Sequence, residues 1–409
     1  IGSGLVGSEM CIRDRLYMDY AATTPVKPEV LEAMMPYYTT YFGNASSFHQ
    51  FGREAKEGLD KGRAQVASLI NADPREVYFT NGGSESDNWA LEGTAFARRN
   101  KGNHIITSKI EHHAILHTCE YLEKVHGFEV TYLDVDADGK VDLEQLKRVI
   151  SDNTILVSVM FANNEIGTIQ PIKEITEIAH AHGALMHTDG VQACGNIPVD
   201  VKELGVDLMS MSGHKIYGPK GIGALYIKKG VKIHNFMHGG AQERKKRAGT
   251  ENVPAIVGYG KAAEMAKNNM ENHVRELTRL RDKLMYGLQE RIPHTRINGH
   301  KTDRLPGTAN VSFQFIEGEG ILLLLDQAGI AGSSGSACTS GSLDPSHVLM
   351  ALGLPHELAH GSLRLVVGDF TTEEDIDYVL ETLPPIIARL RELSPLYQTY
   401  IKEHPEENK

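Results

Sequence analysis

From Pro28 to about Gly260 short apolar runs alternate with amphipathic stretches. Val77–Thr80, His104–Ser108, Glu129–Leu133, Ile155–Phe161, Leu185–Asp189, Leu208–Ser212 and Gly223–Ile227 are four to seven residues long, which predicts buried strands. Between several of them lie helical patterns, such as Ile172–His182 with Ile172, Ile175 and Ala179 on one face. Asp142-x-x-Gln145 and Ser84-x-x-Asp87 read as helix N-caps. Such alternation implies an α/β fold with a mostly parallel seven-stranded sheet flanked by helices. Ligands then gather beyond the C-terminal strand ends, so polar residues just after strands carry most weight. Past Gly260 the texture changes to a long charged helix (about Ala262–Arg291), strands at Asn310–Phe315 and Ser362–Val367, and a helix from Thr372. We expect a large α/β domain over 28–261, a smaller α+β domain from 16–27 and 262–400, and a tail over 401–409.

The first fifteen residues, Ile1–Arg15, fit neither period and lack the basic start and continuous apolar centre of a secretion signal. We expect them to be a leader foreign to the fold, with the native start near Tyr17–Met18. The chain's 409 residues, 41% apolar and 23% charged, suit a globular protein of two domains or one large α/β unit. Its greasiest stretches, Ile321–Leu325 and Ile155–Ala162, fall short of the roughly 18 residues of a membrane helix. A net charge of −11 argues against nucleic acid as a partner. The four cysteines (Cys11, Cys119, Cys194, Cys338) form no CxxC pair. That points to a reducing compartment, and hence the cytoplasm, rather than to a disulfide frame or structural zinc.

Ser212-Gly213-His214-Lys215 follows the apolar run Leu208–Met211 directly. Most lysines are solvated surface, but one buried at a strand end has a lowered pKa and a nucleophilic amine able to form a Schiff base. A shift of ~3 units costs about 4 kcal/mol, which a bound cofactor would have to offset. Asp189, closing the preceding strand in His187-Thr188-Asp189-Gly190-Val191-Gln192, is either a plain polar strand end or a partner for a cationic ring nitrogen. Two opposite charges ~4 Å apart at an effective dielectric of ~20 gain about 4 kcal/mol, enough to keep a pyridine nitrogen protonated. A lysine and an aspartate in these roles meet the electronic needs of pyridoxal 5′-phosphate. Thr80-Asn81-Gly82-Gly83-Ser84-Glu85-Ser86 joins a strand to a helix, so free N–H groups and the Ser84 hydroxyl converge on an anion, although an ordinary turn would read similarly.

Cys338 stands alone in Gly332-Ser333-Ser334-Gly335-Ser336-Ala337-Cys338-Thr339-Ser340-Gly341, a polar setting suited to a reactive thiol that needs a base or cation nearby. Arg364, within Ser362–Val367, is an ordinary arginine or the planar fork for an amino-acid carboxylate. His112 follows the strand His104–Ser108 and is placed to stack on a planar cofactor. His113 and His117 share a helical face, but no HEXXH order accompanies them, so no intrinsic metal is expected.

Together these motifs resemble the cysteine desulfurases, the NifS/IscS type of the class V, fold-type I pyridoxal-phosphate enzymes. The resemblance runs from about Tyr17 (YMDYAATTPV) to about Tyr397 (LSPLY). Its most specific stretches are SGHKIYGPKGIGALY around Lys215, MHGGAQERKKRAGTENV at Met237–Val253 and SSGSACTSGSLDPSHVLMALG around Cys338. It implies that Lys215 bears the cofactor, and that His112 stacks on the ring and assists proton transfer. It assigns the ring nitrogen to Asp189, the phenolic oxygen to Gln192 and Asn164, and the phosphate to Gly83, Ser84, Ser212 and His214. Thr250 would reach the phosphate of a neighbouring subunit in a homodimer. Arg364, with Asn164, would bind the carboxylate of L-cysteine, and Cys338 would take its sulfur as a persulfide while L-alanine leaves. An iron–sulfur scaffold protein or a sulfur carrier would be the acceptor, and Cys338 could transiently ligate an iron–sulfur cluster with such a scaffold. Ser84, Gly190 and Ala45 depart from the commoner threonine, alanine and proline without removing a required group. A selenocysteine lyase or a class V aminotransferase would share Lys215 and Asp189, and a non-catalytic sulfur or metal carrier would be built on Cys338 and the histidine cluster around His113 and His117.

Overall fold

Runs dominated by apolar residues form strands where both faces are covered. His104–Ser108, Thr154–Ser158, Leu208–Ser212 and Gly223–Ile227 are buried along their whole length. The computed structural model describes residues 15–334 and 345–404; Cys338 and almost all of the expected leader lie outside the described residues. The strands in chain order are β1 (Leu16–Tyr17), β2 (Val77–Thr80), β3 (His104–Ser108), β4 (Glu129–Leu133), β5 (Thr154–Ser158) and β6 (Leu185–Asp189). They continue with β7 (Leu208–Ser212), β8 (Gly223–Ile227), β9 (Thr295–Ile297), β10 (Thr308–Phe313), β11 (Ile330–Ala331) and β12 (Ser362–Val366). Seven of them make one sheet in the order β2-β8-β7-β6-β5-β3-β4. Only β8 runs against its neighbours, so the sheet is mostly parallel, as the alternation predicts.

Six helices matter here: α1 (Gln50–Leu69), α2 (Gly83–Arg98), α3 (His113–His126), α4 (Ile172–Ala181), α5 (Val253–Arg291) and α6 (Glu373–Leu393). Alternate strand residues face opposite layers. Ile106, Val157 and Met209 join Leu59 and Val66 of α1, Ile175 of α4 and Ile256 of α5 in one core. Ile105, Leu156 and Leu208 meet Trp89 of α2 and Ile115 and Leu122 of α3 on the other side. Each fully buried Leu or Ile contributes about 1.5–3 kcal/mol. A second sheet, β12-β10-β9, is antiparallel and packs Val311, Phe313 and Leu363 against Leu284 and Leu288 of α5 and Leu383 of α6. α5 therefore serves both cores along its 39 residues, about 58 Å at 1.5 Å per residue. Among the described residues no helix is long and apolar enough to cross a membrane.

Several boundaries differ from the sequence expectation: β5 ends at Ser158 rather than Phe161, and β10 spans Thr308–Phe313 rather than Asn310–Phe315. α5 begins at Val253 rather than near Ala262, because Asn252 caps it by accepting from Ala255 N and Pro254 occupies its first turn. Ser84 does not cap α2: the helix starts at Gly83 with Gly82 before it, and Asp87 is buried inside. The first N–H groups of α2 are therefore not taken up by a capping side chain.

Candidate active site

Because β2, β3, β5, β6 and β7 run the same way, their C-terminal ends share one edge, and the segments that follow converge there. They enclose a cavity of about 260 Å³. Gly83, Ser84, His112, Asn164, Asp189, Gln192, Ser212, His214, Lys215 and Arg364 all line it, as expected from sequence. Thr250 is exposed and does not line this chain's cavity. Sequence reading missed Ala21, Ala22, Asp87, Met160 and Val191 on the same wall.

Lys215 lies in the turn after β7, half-buried rather than sealed off. Its Nζ donates to Ala21 O and, at 2.8 Å, to Ala22 O, acceptors suited to an ammonium. The turn is stiff. Tyr217 takes a left-handed φ of 65°, held by Thr24 Oγ1 accepting from its N–H at 2.8 Å and by its hydroxyl accepting from Asp369 N at 2.7 Å. A non-glycine residue in that region costs on the order of 1–3 kcal/mol, so packing must over-determine it.

Asp189 ends β6 opposite Ser210, and its Oδ1 accepts from Val191 N at 2.9 Å. Burial raises its pKa to about 6, against the Val191 hydrogen bond and the charge of Lys215, which lower it. Asp87 lies beside it and is pushed well above the usual carboxylate range, by burial first and by Asp189 second. His187, between the Ser158 and Ser210 hydroxyls at 2.8 and 3.0 Å, is held neutral by burial, with its pKa down at about 3.

His112 caps α3, its Nδ1 accepting from Ala114 N at 3.1 Å. Burial, then the Lys215 charge and the rings of His113, His347 and His117, lower its pKa to about 4. A neutral imidazole accepting at Nδ1 carries its proton on Nε2. The preceding residue fixes that turn: buried Glu111 accepts from Met160 N at 3.0 Å and from the Ser108 hydroxyl. Gln192 Nε2 donates to Ala21 O at 3.0 Å, and His214 Nδ1 lies 3.1 Å from Thr23 Oγ1. His113 and His117 are neighbours, ring centroids 5.0 Å apart, but among the described residues no group of three His, Cys, Asp or Glu is arranged to hold a metal.

A phosphorylated pyridine aldehyde fits these residues. Ser212 Oγ is buried without a partner among the described residues, an unmet donor beside the opening turn of α2. A side chain at Gly83 would meet Val191 Cγ2 at 2.8 Å, so only glycine leaves the cradle open. A buried carboxylate and an amine lie on the same wall.

Comparison with known proteins agrees with this geometry. Residues 16–379 match the family described as "Aminotransferase class-V". A protein named cysteine desulfurase IscS from Clostridium botulinum (strain Hall) is 58% identical over 394 residues, 96% of this chain and 99% of that protein. One of the same name from Methanosarcina thermophila is 59% identical over 381 residues, 93% of this chain and 94% of that protein. Among solved structures, a NifS-like protein superimposes with a TM-score of 0.86 at 40% identity, covering 92% of this chain and all of that one. SspA in complex with cysteine does so with a TM-score of 0.74 at 36% identity, covering 87% of this chain and all of that one. On the family match and on identities this high over nearly the full length, the chain belongs to the class-V aminotransferases, enzymes that depend on pyridoxal 5′-phosphate.

Proposed function

We propose that this chain is a cysteine desulfurase whose cavity strips sulfur from L-cysteine, with pyridoxal 5′-phosphate held on Lys215 and the sulfur passed to Cys338. The observation that carries the reading is the convergence of Lys215, Asp189, His112, the Gly83–Ser84 turn and Arg364 on one cavity. When bound, the cofactor supplies an aldehyde for the substrate amine and a ring that accepts the electron pair left at Cα.

The protein's own groups do the rest. Ser212, Ser84, His214 and the N–H groups opening α2 hold the phosphate. Asp189 keeps the ring nitrogen protonated, while Gln192 and Asn164 serve the phenolic oxygen. His112 would lie against the ring and present Nε2–H to the reacting atoms. Lys215, its amine free once substrate is bound, would take the Cα proton. Arg364, with Asn164, orients the substrate carboxylate. Cys338 thiolate attacks the substrate sulfur: an S–S bond forms as Cβ–S breaks, the electron pair passes to Cβ, Cβ takes a proton, and return of a proton to Cα from Lys215 completes L-alanine.

Residues 28–261 form the cofactor-binding domain, and 16–27 with 262–400 a smaller one, their boundary falling inside α5. The chain works as a homodimer in the cytoplasm, Thr250 of each copy completing the phosphate site of the other. An iron–sulfur scaffold protein or a sulfur carrier receives the sulfur. Borohydride reduction of the loaded enzyme followed by peptide mapping tests the core of this reading. The reduced adduct is expected on Lys215, and Cys338→Ser is expected to abolish alanine formation from L-cysteine. An adduct elsewhere, or undiminished turnover in Cys338→Ser, overturns it.

A further inference from the structure

The guanidinium of Arg364 is gripped on two arms and, among the described residues, unpaired at its third nitrogen. Nη1 donates to Asn164 O at 2.9 Å, and Nη2 donates to Asp19 Oδ1 at 2.8 Å. The Arg364 side chain is 2% exposed and that of Asp19 17%. Nε is buried and has no partner among the described residues, although Arg364 lines the cavity. A carboxylate binding side-on takes Nε–H together with a neighbouring Nη–H. That leaves Nε–H unpaired, one of the two donors that a side-on carboxylate takes.

Asp19 belongs to the same rigid patch. Val366 N donates to Met18 O at 2.7 Å, and a bridge pairs Asp19 with Val366, two residues beyond Arg364 on β12. The Tyr17 hydroxyl and Ala22 N both donate to Asp19 O, at 3.0 and 2.9 Å. Two and three residues further on, Ala21 O and Ala22 O accept from Lys215. One short stretch of chain therefore touches both the carboxylate fork and the amine, and sets their separation.

We propose that Asp19 is a positioning residue for substrate recognition, holding the guanidinium plane so that its Nε edge receives the substrate carboxylate. It also supplies the counter-charge that a buried guanidinium requires before substrate arrives. The proposal rests on the reading of Arg364 given above, and the two can fail separately.

The test uses the cofactor-loaded enzyme and two thiol-free amines, L-alanine and ethylamine, which differ in the carboxylate. Dissociation constants come from titrating the cofactor absorbance, so binding is read without turnover. Asp19→Asn is expected to weaken L-alanine at least tenfold and ethylamine less than twofold, with the selectivity loss of Arg364→Ala as reference. Equal weakening of both amines, or neither, or tighter L-alanine binding, overturns the proposal while Arg364→Ala still shows its selective loss. If Arg364→Ala shows none, the carboxylate fork itself is misassigned and the proposal goes with it. Asp19→Ala gives the same comparison should Asp19→Asn not load the cofactor.

Discussion

Without its cofactor, the folded chain holds Asp189 at a cost that can be measured. Burial raises the carboxyl from an ordinary 3.8 to about 6. Between those values the native state binds more protons than the unfolded chain, so the stabilising contribution of the protonated form is lost as pH rises through about 6. A gap of about two units is worth about 3 kcal/mol at pH 8, and roughly half of that at pH 5. Asp189→Asn removes the charge and keeps the Oδ1 that accepts from Val191 N. With about 2.1 cal/mol/K of unfolding entropy per residue, the cofactor-free variant should melt ~3–4 °C above the parent at pH 8 and ~2 °C above it at pH 5. Calorimetry of both proteins from pH 5 to 8 reads the difference. The same variant should bind the cofactor more weakly, since the ring nitrogen loses its counter-charge. A melting difference that stays flat with pH, or a variant that melts lower at pH 8, refutes the reasoning.

Two more outcomes follow from burial. Glu243 meets Arg63 in a two-pronged ion pair at 2.7 Å, both side chains under 10% exposed, and also accepts from Phe79 N. Glu243→Gln leaves the guanidinium uncompensated and should cost about 3–5 kcal/mol in denaturant unfolding, whereas loss of under 1 kcal/mol would show that the pair is dispensable. Cys119 and Cys194 are buried, and burial pushes both thiols far above the usual range. A thiol reagent applied to the native protein at pH 8 should therefore leave both unlabelled by mass spectrometry, and modification of either within minutes would contradict the packing.

Much of this was legible in the sequence where one local rule governs. β2, β3, β4, β6, β7 and β8 fall where apolar-rich runs place them, and β3, β7 and β8 are buried at every residue. Lys215, Asp189 and His112 were legible because each ends or follows a strand. Asp87 was misread as a cap partner of Ser84, because the S-x-x-D spacing says nothing of which way a helix turns its inner face. Asp19 could not be read as a site residue: its partner Arg364 lies 345 positions away, and only the fold brings them together. Glu111 was equally silent, a lone carboxylate whose anchoring of the His112 turn depends on Met160, in the segment after β5.

The unbroken rod of α5 restricts how this protein can breathe. A jaw-like swing of the three-stranded sheet would have to bend a helix eleven turns long whose inner residues are locked into both cores. Admission of substrate and egress of product therefore fall to side chains and connecting loops, and the spacing between the amine and the guanidinium behaves as a fixed gauge rather than a closing clamp.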